Sequence, residues 1–152
     1  GWKIQYCTTA ERKFRGLRGY IMVNEGVSAV VYNTEIQKFL LMKRSEENDY
    51  YPGVWQFPGG KLEDETPEEG VLRELKEEAG LEGDCVKEGS YKWTSTHDEA
   101  KMKSYVFLVE VQETDVEKSW EHDEHKWIEL DEMEKLETFE FIHKDLEAVD
   151  VL

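Results

Sequence analysis

The sequence predicts an α/β fold in which helices cover both faces of a mixed β-sheet, an α/β/α sandwich. Three observations predict it. A capped amphipathic helix over Pro67–Ala79 interrupts a series of short strand-forming segments. Near the C-terminal end, Phe139, Ile142, Leu146 and Val149 recur at helical spacing. The chain has 152 residues, of which 39% are apolar or aromatic, enough for one core. The expected organisation is a single domain over 1–152, with 1–18 forming an N-terminal arm or an edge strand.

From Tyr20 to Tyr32 the residues are mostly strand formers, interrupted at Asn24–Gly26. Asn33-Thr34-Glu35 supplies turn chemistry into a second strand, Gln37–Lys43, so the two are expected to form a hairpin. A polar loop, 44–51, leads to Pro52-Gly53 and a Pro/Gly-dense segment ending Phe57-Pro58-Gly59-Gly60. The helix that follows has Thr66 as N-cap, Pro67 at N1 and Glu69 at N3, a capping box. Gly80 supplies a residue able to take positive φ at its end. Val71, Leu72, Leu75 and Ala79 form its apolar stripe. Further strands are expected at Cys85–Thr94 and Lys103–Gln112, the latter interior because its middle is apolar. A short strand at Trp127–Leu130, a helical turn at Asp131–Leu136 and a helix at Phe139–Val149 complete the chain.

Composition narrows the function. With 19 basic and 35 acidic side chains the net charge is −16, so bulk electrostatics do not favour a polyanion. The acidic excess lies at the C-terminal end, while residues 1–20 are net basic, with a patch at Arg12, Lys13, Arg15 and Arg18. No apolar run approaches the roughly 18–20 residues needed to span a bilayer, and no signal-peptide pattern opens the chain. Cys7 and Cys85 belong to no CxxC pair, which suits a reducing compartment. The expected location is the cytoplasm, with no membrane partner.

The helix carries the chemistry. Glu74, Glu77 and Glu78 lie at i, i+3 and i+4, so their carboxylates share one patch and repel one another. Arg73 precedes Glu77 by four residues and can pair with it. A hard divalent cation relieves such repulsion and keeps coordination positions for phosphate oxygens. Glu65, just before the cap, offers a fourth carboxylate. A glutamate-rich helix in an acidic protein is also what a solvated face looks like. Here, however, a glycine pair and Lys61 precede it, a setting in which backbone and a cation can approach a pyrophosphate.

Residues 59–81 resemble the Nudix box, G-x5-E-x7-R-E-U-x-E-E-x-G-U with U aliphatic. Gly59, Glu65 and the run Arg73-Glu74-Leu75-Lys76-Glu77-Glu78-Ala79-Gly80-Leu81 fill every fixed position. The lead-in Trp55-Gln56-Phe57-Pro58-Gly59-Gly60-Lys61 resembles the W-x-F-P-G-G-K of MutT-like members. One departure is a loop shorter by one residue: G-G-K-L-E-D-E-T stands where many members read G-G-K-x-E-x-G-E-T.

The resemblance implies a Nudix-type α/β/α sandwich and cleavage of a pyrophosphate within a nucleoside diphosphate linked to another group. It implies Mg²⁺ or Mn²⁺ held by Glu74, Glu77 and Glu78 with the Gly59 carbonyl, and Arg73 orienting a carboxylate. The segment Trp120–Trp127 resembles an E-H-x-x-x-x-W pattern ahead of the last strand. That makes Glu121, with Glu124 behind it, a candidate catalytic base alongside Glu74 and Glu77. His122 and His125 are too poor a set for structural zinc.

For the substrate, Lys43, Arg44 and Lys61 are candidate phosphate contacts, with strand alternation letting only one of Lys43 and Arg44 face the site. Tyr20, Met22, Tyr51, Trp55, Phe57, Trp93 and Trp120 are candidate stacking faces. The expected activity is that of a MutT-like nucleoside triphosphate pyrophosphohydrolase releasing monophosphate and pyrophosphate. Dinucleoside polyphosphates, nucleotide sugars or an RNA 5′ end are the alternative substrates. A non-catalytic nucleotide sensor is a third reading, against which the intact box carboxylates weigh. A homodimer is compatible with the resemblance.

Overall fold

The computed structural model describes residues 24–49, 51–95, 98–136 and 139–152. In chain order these form β1 (Asn24–Asn33), β2 (Lys38–Arg44), β3 (Trp55–Gln56), β4 (Gly59–Lys61), α1 (Pro67–Ala79), β5 (Asp84–Thr94), β6 (Lys101–Val111), β7 (His122–Ile128), α2 (Leu130–Met133) and α3 (Phe139–Ala148). The arm over 1–18, with Cys7 and the basic patch, lies outside the described residues, as do Tyr20 and Met22.

β1 and β6 run parallel, paired from Asn24–Met102 to Asn33–Val111, and β5 lies antiparallel on the other edge of β6. The strand expected at Lys103–Gln112 is therefore interior. The remaining pairings are antiparallel, so the sheet is mixed. Asn33 makes the hairpin turn: its Oδ1 accepts from the backbone N–H of Glu35 at 2.8 Å and of Ile36 at 3.2 Å. Gln37 takes φ 55° within that turn, so β2 starts one residue later than expected.

β1 and β2 pair only at Tyr32–Phe39 and Asn33–Lys38, then diverge. Residues 55–61 bridge the fork. β3 pairs with β2 and β4 with β1, and Pro58 between them accepts from the Ala29 N–H at 2.8 Å. The approach at β4 demands glycine: a Cβ on Gly59 would lie 2.2 Å from the Val27 carbonyl oxygen.

Two apolar layers pack on the sheet. On one face Val27, Ala29, Val31, Leu40, Met42, Phe107 and Val109 meet Val71, Leu75 and Ala79 of α1. On the other Val30, Phe39, Leu41, Phe57 and Val106 meet Ile142 and Leu146 of α3 and Met133 of α2. Alternation along β1 and β2 divides the layers, and the fold is the expected α/β/α sandwich. α1 has the expected caps: Thr66 Oγ1 accepts from the Glu69 N–H, Glu69 Oε1 accepts from the Thr66 N–H, and Gly80 takes φ 69°.

One boundary is corrected. The last strand spans His122–Ile128, antiparallel to β2, rather than Trp127–Leu130, and Leu130 opens α2. Its first residues, His-Asp-Glu-His-Lys, are polar, and those after the buried His122 are partly or fully solvated, so apolar content does not mark them. Among the described residues no helix is long and apolar enough to cross a membrane.

Candidate active site

α1 turns its three box glutamates in different directions. Glu74 and Glu78 are buried, at 7% and 2% exposure, beside the apolar stripe, whereas the Glu77 side chain is 58% exposed. Arg73 gathers the carboxylates. Its Nε and Nη2 fork onto Glu65, with Nη2 2.6 Å from Oε1 and Nε 3.0 Å from Oε2. Nη1 donates to Glu74 Oε1 and Glu77 Oε2, each at 3.1 Å, and Nη2 also reaches the Lys61 carbonyl at 3.3 Å. A planar fork suits this work better than an ammonium. The shortened loop before the cap thus still brings Glu65 onto Arg73.

Glu78 is held from the sheet side. Its Oε2 accepts from the Gly59 backbone N–H at 3.1 Å and lies 4.0 Å from His122 Nε2. Burial pushes the His122 pKa down against the pull of Glu78, which favours the neutral imidazole. His122 Nε2 also lies 3.5 Å from Gln56 Nε2. On α1, burial and then the neighbouring charge of Glu78 push the Glu74 carboxyl well above the usual range. Hydrogen bonding from Arg73 holds Glu65 below it. Two buried carboxylates side by side, one disfavoured as an anion, are an arrangement that a cation stabilises.

Lys61, Glu63, Arg73, Glu74, Glu77, Glu78, Ser119, Trp120 and Glu121 line one polar cleft. Glu121 is brought there by the turn ahead of β7. Glu124 is not: its carboxylate lies 3.6 Å from Lys43, which is also 3.6 Å from Glu46. Lys43 and Arg44 diverge as strand alternation requires. Arg44 is buried, paired in register with His122, and its charge helps depress that histidine.

A second, more apolar pocket opens where β3, β5 and α3 meet, lined by Tyr51, Val54, Gln56, Phe57, Tyr91, Trp93, Ile142 and Asp145. Tyr51, Phe57 and Trp93 are thus brought together, whereas Trp55 lies outside with the Lys126 ammonium 4.2 Å from its ring centroid. Asp145 is buried beneath the pocket. Its Oδ2 accepts from Ser28 Oγ at 2.7 Å and its Oδ1 from the Tyr91 hydroxyl at 2.6 Å. Burial pushes its carboxyl up to about 6 against those two bonds. Gln56 belongs to this pocket and, through His122, approaches Glu78 in the other.

Sequence reading missed Gln56, Tyr91 and Asp145. One signal was present: Asp145 interrupts the apolar face formed by Ile142, Leu146 and Val149. Nothing local marked Gln56 or Tyr91, which meet Asp145 and His122 only through the sheet.

The chain is 34% identical over 128 residues to the asymmetrical bis(5′-nucleosyl)-tetraphosphatase of Rattus norvegicus, covering 80% of this chain and 84% of that one. It is 68% identical over 31 residues to the 8-oxo-dGTP diphosphatase of Proteus vulgaris, covering 20% of this chain and 28% of that one. Two further relatives, an RNA pyrophosphohydrolase of Hydrogenovibrio crunogenus and the CTP pyrophosphohydrolase of Escherichia coli, are likewise spanned over only 23% and 33% of their length. The crystal structure of the MutT protein from Methanosarcina mazei Go1 superposes with a TM-score of 0.71 at 30% identity, covering 85% of this chain and 94% of that one. The sequence profile of the NUDIX domain matches residues 22–148, and the chain belongs to that family.

Proposed function

We propose that the chain is a divalent-metal-dependent pyrophosphohydrolase, cleaving a phosphoanhydride in a nucleoside diphosphate linked to a further group. The observation that carries this reading is the pair of buried α1 carboxylates, Glu74 and Glu78, facing a polar cleft and held by Arg73 and the Gly59 N–H. Their oxygens, with Glu77, are the hard donors that Mg²⁺ or Mn²⁺ takes, and the destabilisation of the Glu74 anion by burial and by the Glu78 charge fits a site built around a cation. Glu74, Glu77, Glu78 and the Gly59 carbonyl would hold it. When bound, the cation supplies charge neutralisation at the phosphoryl oxygens and a more acidic water.

The chain's own groups do the rest. Arg73 fixes the Glu74 and Glu77 carboxylates, which limits their reorganisation when charge develops. Lys61 adds a positive charge at the cleft for a phosphate oxygen. Glu121, lining the same cleft, takes the proton of the attacking water. Glu124, paired with Lys43, is the weaker candidate base. Tyr51, Phe57, Tyr91 and Trp93, which line the apolar pocket beyond β3, are the candidate contacts for the base.

The first form of this activity is MutT-like hydrolysis of a nucleoside triphosphate to monophosphate and pyrophosphate, supported by the Trp55–Lys61 lead-in and the likeness to a MutT structure. A second is hydrolysis of a dinucleoside polyphosphate, supported by the long alignment with the tetraphosphatase. A third is hydrolysis at an RNA 5′ end, supported by the likeness to an RNA pyrophosphohydrolase. The test is product analysis with Mg²⁺ and a panel of canonical and oxidised nucleoside triphosphates, dinucleoside polyphosphates, nucleotide sugars and 5′-triphosphate RNA, with Glu77→Gln as control. Cleavage at a phosphoanhydride that the substitution abolishes is the expected result. Tight nucleotide binding with no cleavage of any compound would replace the enzyme with a sensor.

A further inference from the structure

His122 is the one buried histidine among the described residues, with its side chain at 0% exposure, and the proposed hydrolysis gives it no part. A β-bulge puts it inside. The register of β2 against β7 shifts between Lys43 and Arg44, so Glu124 stands opposite Lys43 while His122, not Asp123, stands opposite Arg44. Asp123 is the extra residue: it is exposed and accepts from the Glu46 N–H at 3.1 Å, and His122 is re-aimed inward.

The backbone around the ring is tied down. His122 N–H donates to the Ser119 carbonyl at 3.3 Å, and Ser45 N–H holds the Glu121 carbonyl at 2.9 Å. Ser119 N–H donates in turn to the Glu78 carbonyl at 3.3 Å and Glu117 N–H to that of Ala79 at 2.9 Å. The turn that delivers His122 is thereby fastened to the last turn of α1.

Two groups from the sheet converge on one oxygen of Glu78. The Gly59 N–H donates to Oε2 at 3.1 Å, and His122 Nε2 lies 4.0 Å from the same atom. β4 supplies the first group and β7 the second, and they meet where β1 and β2 diverge. The other ring nitrogen decides which atom carries the hydrogen. His122 Nδ1 is buried with no hydrogen-bond partner among the described residues, whereas Nε2 has Glu78 and, at 3.5 Å, the Gln56 amide. A buried N–H without an acceptor costs more than a bare nitrogen, so the hydrogen of the neutral ring belongs on Nε2. A protonated ring carries one there too, so the donor does not depend on the ring's charge. An approach of about 1 Å would turn the contact with Glu78 into a hydrogen bond.

A buried carboxylate that holds a cation needs donors on its far oxygen to fix its direction. We propose that His122 is a positioning residue for the cation site: its Nε2–H, with the Gly59 N–H, orients the Glu78 carboxylate toward the α1 cleft. The proposal rests on the reading of Glu78 as a cation ligand.

The test is titration calorimetry with Mg²⁺ alone on wild type, His122→Gln, His122→Asn and His122→Leu. Glutamine carries an amide N–H to the place of Nε2, asparagine is one methylene too short, and leucine fills the slot without a donor. Thermal unfolding in EDTA reports packing separately, and all three variants lose stability there. Mg²⁺ binding weakens about tenfold or more with leucine and asparagine, and stays within about threefold of wild type with glutamine. Wild-type affinity in His122→Leu overturns the positioning role and leaves the cation site standing. So does affinity that follows thermal stability, with glutamine no better than asparagine. If His122→Leu does not fold, the gap between glutamine and asparagine decides alone. A wild type that takes up no Mg²⁺ refutes the cation site itself, and this inference falls with it.

Discussion

Replacing Arg73 by glutamine removes the cation around which Glu65, Glu74 and Glu77 are arranged, and its cost can be worked from the contacts. The bidentate bond to Glu65 joins side chains 23% and 14% exposed, where a charge-assisted pair contributes roughly 1.5–3 kcal/mol. The bond to Glu74 is more buried, but burial already disfavours that carboxylate as an anion, so its net share is about 1 kcal/mol or less. The Glu77 contact is an i, i+4 pair with a largely exposed partner, worth about 0.3–0.5 kcal/mol. A loss of about 3 kcal/mol is expected, which in a chain of this length lowers Tm by roughly 6–12 °C. The assay is thermal unfolding by calorimetry in EDTA. Arg73→Lys, with one compact ammonium in place of the fork, should recover less than half of the loss. A variant melting within 2 °C of wild type, or full rescue by lysine, would refute the reasoning that Arg73 organises the cluster.

Gly59→Ala should destabilise by about 2–3 kcal/mol, read by urea denaturation, because the added Cβ meets the Val27 carbonyl oxygen at 2.2 Å and must push β4 from β1. The same substitution displaces the N–H that Glu78 accepts, so calorimetric Mg²⁺ affinity should fall with it. Metal binding should release protons near neutral pH. With the Glu74 carboxyl raised above its ordinary value, its proton is bound in the metal-free protein and displaced by the cation, so affinity rises with pH until that carboxyl is ionised. Titration calorimetry in buffers of different ionisation enthalpy measures the release, and no buffer dependence would contradict the assignment.

The parts legible in the sequence are those whose cause is local. Thr66, Pro67, Glu69 and Gly80 specify where α1 begins and ends through contacts within four residues, and the ends are where those residues put them. The strands of β1 and β6 were readable from β-branched content, but their parallel register was not, because it depends on pairing across 78 positions such as Asn33 with Val111. Helical periodicity assigned Glu74, Glu77 and Glu78 to one face. It could not show that Glu74 and Glu78 are buried, since that follows from β4 and the 117–122 turn folding over α1. In sequence only the resemblance to E-H-x-x-x-x-W ranks Glu121 ahead of Glu124. They separate because Glu124 lies within β7 opposite Lys43, whereas Glu121 lies on the turn before it.

The central claim is that the α1 carboxylates hold a divalent cation and that hydrolysis depends on it. The most direct test is turnover against Mg²⁺ concentration for wild type and Glu78→Gln, the substitution that keeps the shape of a side chain only 2% exposed while removing its charge. Saturable dependence on Mg²⁺, abolition by EDTA, and a loss on the order of 100-fold in the variant are the predicted result. Turnover that survives EDTA, or a variant as active as wild type at every Mg²⁺ concentration, would contradict it.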